Sequence, residues 1–418
     1  MTLIVLIGGA AVFAATREGD VSNPEVEFRA EPAETPVPTE TPAPRKRDGR
    51  PRDTFVWGTY GYSKDRRRYL PASVALRPPF HRRWALTGSV LLEFPPILAG
   101  PRLFLLKNNG ALYAASKRTG KVLWKRKLGH LAASSPAYAQ GRVFVTILER
   151  GKGVDAGRVA ALRARDGAIL WSRPLASRSE SSPVVDGDRL FFGSEGGKLY
   201  ALDTRDGSVR WTYRAGGAIK GAPALAGGKV YVGDYSGRVH AVRRRDGHRV
   251  WSTGTSGRGF GLASGQFYSS PAVAYGRVYL GNTDGKVYSF SSDSGKLAWR
   301  MSTGGYVYAS PAVAQVPGGR PTVYLGSYDG TFYALDARTG RKRWTHRAGG
   351  KISGSATVVG DIVYFSNLGK KSTVGLGART GRKVFDFGRG AYNPVVSDGK
   401  VIYLTGYSSV YALRPKRG

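Results

Sequence analysis

The chain has 418 residues, enough for a large core, and it is rich in glycine and tyrosine. It contains no cysteine, which excludes disulfides, thiolate metal sites, thiol nucleophiles and a lipid-modified N-terminal cysteine. Lys+Arg 64 against Asp+Glu 29 gives a formal net charge of +35, which indicates an anionic neighbourhood or a very soluble surface.

The N-terminus is an uninterrupted apolar run from Thr2 to Ala15. These 14 residues fall short of the roughly 20 that a membrane-spanning helix needs, and no Lys or Arg precedes them. We therefore assign residues 1–16 to a signal peptide or a membrane anchor, the anchor requiring a true start further upstream. A buried strand or helix of the folded body is the other interpretation.

Residues 17–54 form a second distinct segment, which contains the stretch "EPAETPVPTETPAPRKRDGRPR". Repeated Thr-Pro and Glu followed by a basic run cannot build a core, so the composition predicts a disordered Pro/Thr/Glu-rich and then basic linker. Such a linker acts as an extended spacer of roughly 3 Å per residue. A spacer behind an apolar N-terminus is typical of an extracytoplasmic protein that is membrane-anchored or secreted.

A repeated unit fills the rest of the chain, and one clear copy is "SSPAVAYGRVYLGNTDGKVYSFSSDSGKLAW", Ser269 to Trp299. Each copy predicts four short strands separated by Gly-containing turns and ends in a large aromatic residue. Copies recur every 40 to 48 residues, which is typical of a β-propeller. The terminal aromatic residues are predicted to pack as wedges between adjacent blades: Trp84, Trp124, Trp171, Trp211, Trp251, Trp299, Trp344 and Phe385.

The last copy, "VYALRPKRG", stops one strand short of its aromatic residue. The stretch "HRRWALTG", His81 to Gly88, precedes the first complete copy and supplies the missing strand. We therefore predict that residues 55–418 form an all-β, eight-bladed propeller whose last blade is closed by the N-terminal strand. The alternative explanation of the incomplete last copy is that the chain is truncated. We also expect the protein to be a monomer.

One repeat carries the complete pattern Ala334, Asp336, Thr339, Gly340 and Trp344. This pattern resembles the Trp-docking motif of the quinoprotein-type (PQQ-like) repeat propellers, and "WGTYGYSKDRRRYLP" resembles the opening segment of that family. The resemblance implies one of two functional classes. One class is the quinone-dependent dehydrogenases, with bound pyrroloquinoline quinone (PQQ) and calcium. The other is the non-catalytic, BamB-like scaffolds.

Dehydrogenases of this type commonly carry neighbouring cysteines at the cofactor and long insertions between blades, and this chain has neither. Its five histidines fall in different blades, and no pair has metal-ligand spacing. We therefore predict no catalytic, cofactor-binding or metal-binding residue, and a membrane-tethered, extracytoplasmic scaffold for envelope proteins or anionic polymers. The alternative is a PQQ- and calcium-dependent dehydrogenase. A nucleic-acid partner fits the charge but lacks a base-stacking aromatic strip.

Two sets of residues are candidates for binding. The first lies three residues before the start of each blade, at the predicted mouth of the central channel, and its polar and aromatic members could form a ligand pocket: Glu93, Glu180, Lys220, Tyr268 and Tyr308. Carboxylates in neighbouring hairpin turns of the same face are Glu195, Asp234, Asp284 and Asp329. The alternative is a solvated channel mouth without a ligand.

The second set is basic and occupies the turn between the third and fourth strands. Its members share one repeat offset and are predicted to form an anion-binding rim on the opposite face: Arg118, Arg165, Arg205, Arg245, Arg338 and Arg379. Expected partners of this rim are anionic lipid headgroups or cell-surface polymers. The alternative is a set of solvated turns that only add solubility.

Overall fold

A computed structural model describes residues 19–31, 53–73, 75–149, 156–255 and 265–416, and all regular structure in these ranges is β-strand. The strands form eight sheets of four, and three of these sheets carry a short fifth strand. The predicted all-β, eight-bladed propeller is therefore confirmed. No helix in the described ranges has the length and apolarity to cross a membrane. The segment predicted as signal or anchor, residues 1–16, lies outside the described residues.

The blades share one strand order from the channel outward, and blades 1 to 8 are numbered along the chain. Innermost strands are β5 (Ile97–Ala99), β9 (Ala137–Ala139), β13 (Val184–Asp186), β17 (Ala224–Ala226), β21 (Ala272–Ala274), β25 (Ala312–Ala314), β29 (Thr357–Val359) and β33 (Val395–Ser397). Second strands are β6 (Arg102–Leu106), β10 (Arg142–Leu148), β14 (Arg189–Gly193), β18 (Lys229–Gly233), β22 (Arg277–Gly281), β26 (Thr322–Gly326), β30 (Ile362–Asn367) and β34 (Ile402–Thr405).

Third strands are β7 (Ala111–Ser116), β11 (Gly157–Arg163), β15 (Lys198–Asp203), β19 (Arg238–Arg243), β23 (Lys286–Ser291), β27 (Thr331–Asp336), β31 (Ser372–Gly377) and β35 (Val410–Pro415). Outer strands are β8 (Val122–Lys127), β12 (Ile169–Leu175), β16 (Val209–Arg214), β20 (Arg249–Gly254), β24 (Leu297–Ser302), β28 (Lys342–Arg347), β32 (Lys383–Phe387) and β4 (Phe80–Leu86). The additional short strands are β1 (Val21–Ser22), β2 (Val56–Trp57) and β3 (Tyr69–Leu70).

Pairings among the four main strands of each blade are antiparallel, which places the connections at two opposite ends of the ring, whereas the added strand β3 pairs in parallel with β29. Loops between blades and turns between second and third strands lie at one end, here called the mouth face. Turns between first and second strands and between third and fourth strands lie at the other end, the rim face. Because each blade packs against both neighbours, the second strands are buried along nearly their whole length, whereas outer strands such as β8 are mostly exposed.

The predicted closure is confirmed in blade 8. Strand β4 pairs with β35 in antiparallel register, and Trp84 lies opposite Ala412. The last sheet is therefore built from both ends of the propeller domain, which leaves no blade short of a strand.

An indole ring joins each of seven blades to the next. Every indole N–H donates a hydrogen bond of 2.9–3.1 Å to a backbone carbonyl of the following blade. Each ring also lies against the glycine of that blade's third-to-fourth turn, where a Cβ would come within 2.6–2.8 Å of the ring. In the seventh blade Phe385 has no N–H and instead packs edge-on against Phe80, with ring centroids 5.4 Å apart.

Residues 19–31, here called the strap, lie on blade 5. Strand β1 pairs with the outer strand β24, so Val21 lies opposite Arg300. Further along, Val26 is buried in the core of blades 5 and 6, and Phe28 stacks on Tyr275 with ring centroids 5.4 Å apart. The strap covers an outer strand that is exposed in other blades. As a result Ala298 is buried, while its counterpart Leu123 in blade 1 is 48% exposed.

The strap differs from the expectation that residues 17–54 form a free linker. Its last described residue, Glu31, lies 2.5 Å from the guanidinium of Arg67 on the rim face. The chain is next described at Asp53, whose carboxylate lies 2.8 Å from the ammonium of Lys117, also on the rim face. The two described residues that flank the Pro/Thr-rich stretch, Glu31 and Asp53, therefore both lie on the rim face. The sequence signal for this packing is the apolar pair Val26 and Phe28 in a polar segment.

Residues 55–72, here called the channel segment, cross the rim-face end of the central channel. Carbonyl oxygens of this segment accept hydrogen bonds of 2.8 Å from the innermost strands of four successive blades: Lys64 from Leu225, Asp65 from Val273, Arg67 from Val313 and Arg68 from Val358. The segment also bonds blade 2 through Gly58 and blade 1 through Phe55. The channel is thus closed from the rim face.

The contact between indole and glycine predicts a specific mutational cost. Gly340 has φ +76 and lies under the buried ring of Trp299, whereas Gly399 has φ +79 and open space around it. Replacing either glycine with alanine carries the backbone cost of a positive φ, roughly 1–2 kcal/mol. Only Gly340→Ala should add a steric cost of about 1–3 kcal/mol. Equal losses of unfolding free energy in the two variants, measured by denaturant titration, would show that the close contact does not matter.

Candidate binding site at the channel mouth

The five residues predicted at the channel mouth come together in one cavity. Glu93, Glu180, Lys220, Tyr268 and Tyr308 all line a cavity, here called the cup, with about 480 Å³ of atom-free space including solvent at its opening. The residue set was identifiable because each member occupies the same position before its blade. The structure therefore brings together the whole of this set. Whether the cup binds a ligand stays a prediction.

Lys220 holds two of the carboxylates in this region. Its ammonium nitrogen lies 3.1 Å from Oε1 of Glu180 and 3.4 Å from Oε1 of Glu195. Tyr268 donates a further hydrogen bond of 3.4 Å to Glu180. Burial raises the pKa of Glu180, and the neighbouring Lys220 opposes that rise. The Glu180 side of the cup is therefore internally neutralised.

Glu93 has different surroundings on the opposite wall. Its carboxylate accepts a hydrogen bond of 3.1 Å from the side-chain amide of Asn108, and the Glu93 carbonyl accepts one of 2.8 Å from Asn393. Burial raises the pKa of the Glu93 carboxyl, with Asn108 and the more distant Lys220 partly opposing the rise. Among the described residues, no Lys, Arg or His forms an ion pair with Glu93.

Tyr60 of the channel segment forms the floor of the cup. Its hydroxyl lies 3.0 Å from both the Ser355 hydroxyl and Oδ1 of Asn393, and its ring packs edge-on against Phe94. The guanidinium of Arg68 lies 3.8 Å from the centroid of the same ring. The floor is thus fixed by hydrogen bonds to blades 7 and 8 and by a cation–π contact within the channel segment.

A ring of serines was missed by the sequence analysis. The serine immediately before the start of a blade lines the cup in four blades: Ser182, Ser270, Ser310 and Ser355. Each hydroxyl oxygen accepts a hydrogen bond of 2.9–3.0 Å from a backbone N–H of the preceding blade. The available signal was the recurrent Ser-Pro pair at this position. These serines tie neighbouring blades together at the cup wall.

Tyrosines continue from the cup onto the mouth face. Tyr308 lies 5.7 Å from Tyr268 and 4.8 Å from Tyr328 between ring centroids, and Tyr306 packs on both Tyr308 and Tyr328. We call Tyr268, Tyr306, Tyr308 and Tyr328 the tyrosine ledge. Tyr306 is 54% exposed, which is unusual for so large an apolar side chain in this protein.

The turn carboxylates near the cup do not make an acidic surface. Asp234 is fully buried and accepts hydrogen bonds from the backbone of Gly216 and Gly217. Asp329 likewise accepts bonds from Thr331 and Tyr333. Asp284 accepts bonds from the backbone of Lys286 and from Tyr288, so the three aspartates shape their own turns, whereas Glu195 reaches Lys220 beside the cup.

The six arginines of the predicted anion-binding rim are all exposed and occupy equivalent turns on the rim face. Three of them contact a carboxylate of their own turn: Arg165 with Asp166, Arg205 with Asp203 and Arg245 with Asp246. Local pairing lowers the positive field of the rim on blades 2 to 4. Binding of anions by the rim stays a prediction.

A sequence model described as "Outer membrane protein assembly factor BamB" matches residues 65–153, 155–306 and 284–418. The chain belongs to this family. The match covers the channel segment from Asp65 onward and all eight blades. No curated protein matches the chain.

Solved structures of two kinds are similar to this chain. BamB from Moraxella catarrhalis has 18% sequence identity and a TM-score of 0.66, covering 82% of this chain and 99% of its own. A europium-containing methanol dehydrogenase has 14% identity and a TM-score of 0.69, covering 86% and 98% respectively. Quinohemoprotein alcohol dehydrogenase from Comamonas testosteroni has 13% identity and a TM-score of 0.67, covering 87% and 81%. At these identities the similarity shows the shared propeller fold.

The residues of the cup do not fit a calcium-bound quinone, the cofactor that the alternative function implies. Calcium takes six to eight oxygen ligands, usually with several carboxylates. Here Lys220 occupies the space between Glu180 and Glu195, and a bound cation would have to displace it. Among the described residues, no group of three or more His, Asp or Glu side chains could hold a metal ion.

The raised pKa of Glu93 predicts how stability depends on pH. Because the folded-state pKa lies above the reference value of 4.5, ionised Glu93 destabilises the fold as pH rises past 4.5 towards the folded-state pKa. Glu93→Gln removes this penalty and keeps an acceptor for Asn108. The variant should therefore gain unfolding free energy relative to wild type between pH 4 and pH 8, measured by urea titration. A relative loss over that range would contradict the assigned burial of this carboxylate.

Proposed function

We propose that this protein is a non-catalytic scaffold outside the cytoplasm, and that it binds envelope proteins through its mouth face. The observation that carries the proposal is the tyrosine ledge beside the cup, which is exposed at Tyr306 and half-buried at its other three members. Tyrosine is enriched at protein interfaces because it combines a large apolar area with a hydroxyl and few rotatable bonds. One structural neighbour is a BamB protein, and the description of the matching family refers to outer membrane protein assembly.

The cup supports a binding role over a catalytic one. Its Glu180 carboxylate is committed to Lys220 and Tyr268, and its serines are committed to backbone N–H groups of adjacent blades. These groups hold the wall in one shape. A membrane tether through residues 1–16 and an anion-binding role of the rim are part of the proposal. With the strap seated on blade 5, such a tether would hold the propeller close to the membrane.

Site-specific photo-crosslinking tests the mouth face. A benzoylphenylalanine residue placed at Tyr306 in the full chain should give discrete adducts with envelope proteins. The matched control is Ile169, the first residue of outer strand β12. Its side chain is 55% exposed, against 54% for Tyr306, but it lies at the rim-face end of the strand. The same adducts from both positions, or none from Tyr306, would contradict docking at the ledge.

Absorption spectroscopy tests the dehydrogenase alternative. Adding PQQ and calcium to the purified full chain should leave the quinone spectrum as it is in buffer, because Lys220 neutralises the carboxylates that calcium would need. Stoichiometric binding of the quinone, together with oxidation of alcohols or aldose sugars, would overturn the scaffold assignment.

A further inference from the structure

The cup contains one carboxylate, that of Glu93, with no ion-pair partner among the described residues, and aromatic rings line the same cavity. These rings belong to Tyr60, Phe94, Tyr268 and Tyr392. Burial, followed by electrostatic interaction with carboxylates that include Glu93, raises the pKa of both Tyr268 and Tyr392. The site thus combines a partly buried negative charge with several π-systems.

The charge balance of the cup points to the sign of its ligand. Glu180 and Glu195 share Lys220, and Glu195 also lies 3.9 Å from Arg178. Counting Glu93, these five groups carry three negative and two positive charges. The buried cations Arg66 and Arg68 lie below the cup at its Tyr60 floor, and neither forms an ion pair with Glu93. Among the five groups at the cup itself, the carboxylate of Glu93 is the one left without an ion-pair partner.

We propose that the cup binds a primary alkylammonium group, with Glu93 as its counter-ion and the surrounding aromatic rings as its walls. A carboxylate and aromatic faces both attract an organic cation, and both interactions strengthen when water is excluded. The N–H donors of an ammonium group would satisfy the carboxylate oxygen that Asn108 does not reach. The linear alkyl chain would leave the cup along the tyrosine ledge.

A lysine side chain of a partner protein is the source we infer for this group, and this part rests on the proposed function. The ledge would then contact the partner's surface while its lysine enters the cup. The small-molecule alternative is a free alkylamine, which presents the same chemistry without the protein surface.

Calorimetric titration of the full chain with n-butylammonium at physiological salt tests the site. We expect saturable binding, no heat of binding with the neutral isostere n-butanol, and at least about tenfold weaker binding in Glu93→Gln. The matched control is Glu27→Gln, which removes the same charge from the exposed strap and should keep affinity within about twofold. Glu93→Asp should retain measurable binding because the charge is preserved.

Two results would overturn the proposal: no saturable binding of n-butylammonium by the wild-type chain, or equal affinity in wild type and Glu93→Gln. A capped pentapeptide with one lysine, compared with its Nε-acetylated form, separates the two sources. Tighter binding of the lysine peptide than of n-butylammonium supports a protein ligand, whereas binding of the free amine alone supports a small amine in the same site. The amine titration needs no partner protein, so its failure is distinguishable from failure of crosslinking at Tyr306.

Discussion

The hydrogen bonds between the channel segment and the innermost strands determine what the central channel can do. Four backbone carbonyls, from Lys64 to Arg68, accept N–H groups of blades 4 to 7, and each bond is 2.8 Å long. These bonds fix an irregular segment in place, and they satisfy backbone N–H groups at the inner edges of the innermost strands. Arg66 and Arg68 adopt left-handed backbone, with φ of 62° and 57°, which lets the segment turn from one blade to the next. The cup is a dead end because this segment is its floor.

The same segment buries positive charge under the cup. Arg66 is fully buried and donates to the carbonyls of Tyr60, Ser182, Pro183 and Pro223. Burial and the nearby Arg68 lower the pKa of Arg66 to about 9, so it remains charged at neutral pH. Carbonyl dipoles thus replace a carboxylate partner. The charge of Glu93 is stabilised differently: the Asn108 amide donates to its carboxylate, and no cationic side chain among the described residues forms an ion pair with it. A group that destabilises the fold when ionised is best explained by a role in binding.

The blades were predictable because their information is local and repeated. The interval between aromatic residues predicted eight blades, and the incomplete last repeat predicted the pairing of Trp84 with the C-terminal strand. The cup residues followed from one offset within the repeat. The channel segment is not repeated, and its partners in the blades include Gly100, 45 residues after Phe55, and Asn393, 333 residues after Tyr60, so its path could not be read from the sequence. The strap was misassigned because its polar sequence runs directly into the Pro/Thr/Glu-rich stretch that begins at Glu31, although Val26 and Phe28 supply its packing.

The ion pairs of the cup carboxylates were also not predicted from the sequence. Glu93 and Glu180 occupy the same repeat position, but a lysine from the next loop between blades reaches Glu180 and none reaches Glu93. Lys220 follows Glu180 by one repeat and lies within 3.1 Å of it, whereas the residue one repeat after Glu93 is Ala133. The distinction between a neutralised and an unpaired carboxylate depends on which blades are neighbours in the ring.

Hydrogen–deuterium exchange of the full chain tests the central claim that the channel segment closes the channel. The amide protons of Leu225, Val273, Val313 and Val358 should exchange as slowly as those paired inside the blades, because each is bonded to the channel segment and shielded from solvent. Exchange of these four amides at the rate of exposed turns would contradict the account, since the channel would then be open and the cup would have no floor.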